Sequence, residues 1–370
     1  MNPRTLTLLA LGLLLAVGAV MIAQRRATPV TPAGPVVVPT PTAKVTPHEP
    51  RRPRLPAPRL PQTAGPADSV PEAAAPNPLA KLLNGEGVKL TPEQVDAYLQ
   101  QNKRSAEALL AAARMTGNLG LAREAAEKSP HDPRVQLDLA LRGETPEEKR
   151  KALDRFRQLA RDNPLGDYLS ALDHFKSGRT DDGVKDLLQV GGKHRFQDYT
   201  HDHAQNAEEA LLSAGHGVLE SKAAGLFGVV LPHLQLLREL GTQMTELQKQ
   251  YAQAGDSTSA QAVGQMGLNL AWQMEGQPGR TLVGELVGLS IEKKFLTAQS
   301  PDSPFGTDGR TVRDRLAELD AHRQSMRELT PFTDMLPRLS EREALIYFDR
   351  LKLHGEADAL RWLKNKHGNP

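Results

Sequence analysis

Four of the chain's eleven histidines, His194, His201, His203 and His216, fall within 23 residues, the sharpest local oddity of the sequence. Asp198 and Asp202 lie among them. Imidazole is a good zinc ligand, and three protein ligands with an open water position would make a hydrolytic centre. The spacing argues against a shared ion. Residues two apart on a helix project about 200° from one another, so His201 and His203 face opposite ways. His203 instead keeps register with Tyr199, Ala207, Ala210, Leu211 and Ala214, as a packing histidine would. No Glu-x-x-His pair accompanies the cluster. Metal-dependent hydrolysis at these four histidines is therefore kept as the alternative, with no catalytic or cofactor-binding residue assigned and no cofactor expected.

Other chemical patterns are thinner. Ser290-Ile291-Glu292-Lys293 has the serine-to-lysine spacing of penicillin-binding enzymes, without their Ser-x-Asn and Lys-Thr-Gly companions. Gly215-His216-Gly217 and Gly225-Leu226-Phe227-Gly228 follow no strand and form no phosphate-binding fingerprint. Gly225 and Gly228 are better read as letting two helices approach. Trp272 and Trp362 sit in helical apolar patterns and are expected in the core. The absence of cysteine removes disulfides, thiolate metal sites and cysteine nucleophiles together.

The elements that must position these residues are helical. Thr91-Pro92-Glu93-Gln94, Thr145-Pro146-Glu147-Glu148 and Ser340-Glu341-Arg342-Glu343 each fit a capping box, in which cap hydroxyl and third-residue side chain satisfy each other's amides. Asp132-Pro133, Asn163-Pro164 and Thr330-Pro331 repeat a cap-then-proline start, where the missing N–H costs nothing. Apolar stripes at helical spacing come after these starts, the longest being Leu234, Leu237, Leu240, Met244, Leu247 and Tyr251. Gly117, Gly143, Gly178, Gly215, Gly255 and Gly355 read as stops, and short connections predict antiparallel neighbours. A helix over Leu282–Leu296 is expected, then a turn-rich loop through residues 300–309.

The N-terminal part is organised differently. Thr5 to Gln24 carries no charge, and twenty helical residues at about 1.5 Å each span roughly 30 Å, the depth of a bilayer's hydrocarbon core. Small residues Gly12, Ala16, Ala19 and Ala23 recur within it. From residue 27 to residue 78 lie 15 of the 28 prolines, with no Phe, Tyr, Trp, Ile or Met. Such a stretch cannot bury a core and prefers extended polyproline II structure. It holds the positive charge too. Residues 24–78 have seven basic and three acidic residues, a net of +4, and Arg4 adds one. The chain's total of +2 leaves −3 for residues 79–370. A nucleic-acid-binding body is not expected.

The stretch from Asp132-Pro133 through Asn163-Pro164 to Leu188, with the two prolines 31 residues apart, resembles tetratricopeptide repeats. Leu137, Ala140, Ala152 and Phe156 fill one unit, and Tyr168, Ala171, Phe175 and Gly178 begin a second. Tyr251, Gly255 and Ala260 match a third, and Tyr347, Gly355, Ala359 and Trp362 a looser fourth. Gly183 departs from the small packing alanine of the pattern, and residues 276–309 do not follow it. The resemblance implies stacked helix pairs with a concave binding face and no reaction.

The expected architecture is all-α, with antiparallel helix pairs stacked as a tetratricopeptide-like α-solenoid. It comprises a signal anchor or signal peptide (1–26), a disordered basic Pro-rich linker (27–78), a helical repeat domain (79–300), a loop (301–312) and a C-terminal helical unit packed on the repeats (313–370). The expected function is that of an envelope-anchored, non-enzymatic adaptor for proteins or peptides. A single span through residues 5–23 would sit in a bacterial-type inner membrane with the body in the periplasm. Secretion after cleavage near Val17-Gly18-Ala19 is the alternative.

Overall fold

A computed structural model describes residues 78–83, 87–276 and 280–368. The apolar segment, the Pro-rich stretch and its charges, and both expectations about membrane attachment lie outside the described residues. Among the described residues all regular structure is helical, with no β-strand. None of these helices is long and apolar enough to cross a membrane.

The first helices are α1 (Pro78–Leu83), α2 (Pro92–Gln101), α3 (Ala106–Thr116) and α4 (Leu119–Lys128). Next come α5 (Pro133–Arg142), α6 (Pro146–Leu159), α7 (Leu165–Lys176) and α8 (Thr180–Gln189). The centre holds α9 (Thr200–Ser213), α10 (Val218–Phe227), α11 (Pro232–Gln253), α12 (Ser257–Glu275) and α13 (Leu282–Leu296). Beyond a loop lie α14 (Val312–Leu329), a 3₁₀ helix (Thr330–Arg338), α15 (Glu341–His354) and α16 (Glu356–His367).

The starts are set by local chemistry. At α2 the Thr91 hydroxyl accepts from the Gln94 amide while Gln94 Oε1 accepts from the Thr91 amide at 2.9 Å, a full capping box. Ser340 and Glu343 do the same for α15. The box expected at Thr145 is half made. Thr145 accepts from the Glu148 amide, but the Glu148 carboxylate turns to the Glu144 amide at 2.8 Å and to Arg123. Thr330-Pro331 starts no α-helix either. Thr330 is itself helical, its hydroxyl bonds back to Met326 O, and the chain tightens into the 3₁₀ helix.

Neighbouring helices pack in pairs: α3 with α4, α5 with α6, α7 with α8, α9 with α10, α11 with α12, and α15 with α16. The chain also folds back on itself. α9 packs on α2 and α3, α11 on α7, and α10 on both α1 and α15. Three apolar clusters result. One joins α2–α6 around Leu99, Leu109 and Val135. The largest runs from Leu137 to Met326 through Tyr168, Leu240 and Phe295. A third gathers Leu79, Leu219, Phe332, Tyr347 and Leu360. On α14, Val312, Leu319 and Met326 thus face the central cluster, whereas Leu329 at its end belongs to the third.

Three glycines are demanded by close approach. A Cβ on Gly183 would stand 2.5 Å from the Phe175 ring, which explains glycine where the repeat pattern has alanine. A Cβ on Gly267 would reach 2.1 Å from Phe295, so the Phe295 ring of α13 packs directly on the backbone of α12 there. Gly225 likewise lets α10 press on the backbone of α9 at Ala204, whereas Gly228 only crowds the Ala224 carbonyl of its own helix.

Ion pairs cross the helix interfaces. Arg157 of α6 reaches Asp167 of α7 at 3.0 Å and Asp186 of α8 at 2.5 Å, and both carboxylates are buried. Lys352 of α15 reaches the buried Glu208 of α9 at 2.6 Å. Removing one partner of such a pair strands a charge, so these contacts hold one arrangement of the helices.

Candidate functional site

The histidine-rich stretch enters the fold through the irregular segment 190–199, which delivers the chain to α9. Tyr199 adopts φ 59° and ψ 19°, a left-handed conformation that a side chain-bearing residue adopts at a cost of about 1–3 kcal/mol. Its neighbours hold it there. Asp198 Oδ1 accepts from the Thr200 amide at 2.9 Å, Tyr199 O accepts from the His203 amide at 3.0 Å, and the Tyr199 ring meets Phe156 edge-on. The bend turns the Asp198 carboxylate towards the first turn of α11, where His233 Nε2 lies 3.0 Å from Asp198 Oδ2. Burial raises the Asp198 carboxyl, but His233 and the Thr200 amide and hydroxyl outweigh it and bring the group down to about 2.

This pair forms one wall of a cavity of about 140 Å³, the volume of one large side chain or a few waters. Phe196, Tyr199, Leu231, Leu234 and Met274 supply apolar surface; Thr200, His201, Asp202, Arg280 and Thr281 supply polar groups. Arg280 is already engaged, with Nε 3.2 Å from Glu285 and a hydrogen bond to the Glu275 carbonyl.

His203 points the other way, into the body. It is 4% exposed, and its Nε2 makes no hydrogen bond. Beside it Arg114 Nε lies 2.8 Å from Asp138, and Arg142 reaches the same carboxylate at 3.2 Å. Burial first, then the Arg114 charge, pushes His203 down to about 2, so it is a neutral ring at any ordinary pH. The packing role inferred from its register is what the geometry gives.

The remaining histidines separate. His194 is exposed in the segment before α9. His216 lies just past the end of α9 and pairs with Glu220 at 3.2 Å on the first turn of α10. His201 alone of the four lines the cavity, with Asp198 and Asp202. Among the described residues no three His, Asp or Glu side chains are grouped so as to hold a metal ion. Ser290 and Lys293 lie on α13, where Lys293 pairs with Asp320 instead of serving a nucleophile. Trp272, expected in the core, stands 37% exposed with its Nε1 donating to Glu292 at 3.2 Å.

His233 is the residue missed in the sequence. Its register with Leu237, Leu240 and Met244 marks a buried position, but nothing local links it to Asp198, 35 residues earlier. The arrangement sets a buried histidine against a carboxylate at the wall of a small, mixed cavity. Comparison with protein-family models, characterised proteins and solved structures finds no match.

Proposed function

We propose that this chain is an envelope-anchored, non-enzymatic adaptor whose tetratricopeptide-like helical stack binds proteins or peptides on the periplasmic side of a bacterial-type inner membrane. The observation that carries the reading is the set of helix hairpins cross-linked by buried ion pairs such as Arg157 with Asp167 and Asp186. They make a cross-braced platform for a binding face. The apolar segment 5–23 and the Pro-rich linker would hold that platform away from the bilayer. The 190–233 histidine region then serves the platform's interior: His203 packs, and Asp198 with His233 fixes the entry of α9 onto α11. The hydrolase alternative has less support, because His194, His201, His203 and His216 do not face a common point.

Photo-crosslinking in intact cells tests the adaptor reading. A photoreactive residue placed singly at the exposed Leu188, Val230 and Leu353 of the full chain is expected to give a discrete protein adduct from at least one position. No adduct from any position counts against a protein partner. Protease added before and after opening the outer barrier tests the side of the membrane: digestion only afterwards supports the periplasmic assignment, and digestion in neither condition opposes it.

A further inference from the structure

The end of α12, the middle of α13 and the first turn of α14 bring two carboxylates to one guanidinium. Glu292 of α13 is fully buried. Arg315 of α14 grips it with two bonds, at 2.7 and 2.9 Å, and Trp272 Nε1 donates to the same carboxylate. Glu275, on the last turn of α12, faces Glu292, and its Oε2 lies 3.8 Å from Arg315. Its Oε1 is buried with no hydrogen-bond donor. A buried acceptor oxygen with no donor, turned to a second carboxylate, has the chemistry of a site that lacks one proton.

The other charges around Glu275 do not supply what is missing. Arg280 gives a hydrogen bond to the Glu275 backbone carbonyl and is paired with Glu285, which also holds His322 at 2.7 Å. Arg315 shares its remaining charge with Glu318, and Glu318 is held in turn by Arg310. Ionised together, Glu275 and Glu292 would leave a net negative charge in this interface.

The same residues carry the loop between α13 and α14. Phe305 lies under both Arg310 and Arg315, 6.0 and 5.9 Å from its ring centre, and edge-on to Trp272. The loop's own bonds, Phe305 N to Arg310 O and Val312 N to Ser303 O, turn it back so that Phe305 arrives there. Arg315 thus joins the carboxylate pair below it to the aromatic clasp above it.

We propose that Glu275, Glu292 and Arg315 form a proton-operated latch, closed when Glu275 carries a proton, that fastens the 297–311 loop and α14 onto α12 and α13. Burial, then the neighbouring Glu292 charge, pushes the Glu275 carboxyl up to about 7, which places the operating range near neutrality. Loss of the proton draws Arg315 towards two competing carboxylates and weakens its hold on Phe305.

Trp272 is a reporter inside the latch. In the full chain carrying Trp362→Phe, its emission is expected to shift in one step near neutral pH. Glu275→Gln, which cannot ionise, is expected to abolish that step. Hydrogen exchange at the Phe305 and Val312 amides, corrected for intrinsic rate, is expected to rise about tenfold or more between pH 5 and pH 8 and to stay level in the variant. An emission step that survives Glu275→Gln, or loop exchange equally slow at both pH values in the parent, overturns the latch. If the variant fails to fold, infrared spectroscopy of the parent decides. A protonated-carboxyl band that disappears with the midpoint of the emission step supports the proposal; absence of that band at pH 5.5 overturns it.

Discussion

Around Asp138 two guanidiniums, Arg114 and Arg142, share one carboxylate, whereas around Arg315 two carboxylates, Glu275 and Glu292, share one guanidinium. Each centre lies where helices pack together around a fully buried carboxylate, Asp138 or Glu292, and each is unbalanced in the opposite direction. The fold answers with protons. Next to the cationic centre, burial and the Arg114 charge favour the neutral His203 ring; within the anionic one, burial and the Glu292 charge push the Glu275 carboxyl up. The difference lies in what each proton touches. His203 is packed inside the body, whereas Glu275 lies beside Arg315, which holds Phe305 of the loop that leads into α14. Unequal charge counts in an interior are therefore not equivalent: one settles the core and the other is positioned to move a segment.

The largest expected effect is at the cationic centre. Asp138→Ala leaves both Arg114 and Arg142 without their buried partner, and unfolding in urea is expected to show a loss of about 3–5 kcal/mol. At the anionic centre the equivalent change is expected to be milder. Glu292→Gln still leaves Glu275 able to ionise and take up Arg315, so a loss of about 1–3 kcal/mol is expected. If Glu292→Gln costs as much as Asp138→Ala, the two carboxylates do not substitute for one another and the comparison fails. The double variant Glu275→Gln/Glu292→Gln sharpens it, since removing both is expected to cost more than the sum of the singles.

The helical elements of both centres were legible because helix starts are local. The expected helix over Leu282–Leu296 has those bounds in the structure, and Thr91, Asp132 and Ser340 cap where their spacing said they would. His203 was legible too, since a seven- or eight-residue register with Ala210 and Leu211 places it on a buried stripe. The partners were not. Asp198 finds His233 across a packed helix, and Glu292 finds Arg315 across a folded loop; a sequence carries charge and register but not which buried faces meet. Thr330 shows the same limit at shorter range. Its motif is that of a helix start, and only the uninterrupted helical backbone from α14 reveals that the hydroxyl serves the helix behind it.

Stability followed in small pH steps tests the proton assignment directly, because the two groups tilt it in opposite directions. The ordinary histidine value of 6.5 applies to His203 when unfolded, against about 2 when folded. Between those limits the unfolded chain holds the extra proton, so stability falls as pH drops below about 6.5, by at most about 1.4 kcal/mol per unit. Glu275 runs from 4.5 unfolded to about 7 folded. There the native chain holds the extra proton, so its contribution is full below about 4.5 and is lost as pH rises to about 7. From pH 4.5 to 6.5 the two slopes oppose each other, and the parent's contribution from this pair is expected to be nearly level. Carboxylates held low, such as Asp198 and Glu148, each near 2, act mainly below that window. Thermal melts at half-unit steps should therefore separate the centres. His203→Gln is expected to uncover a melting temperature that declines as pH rises, and Glu275→Gln one that climbs. Two variants tilting in the same direction would mean that one of the two protons has been assigned to the wrong state.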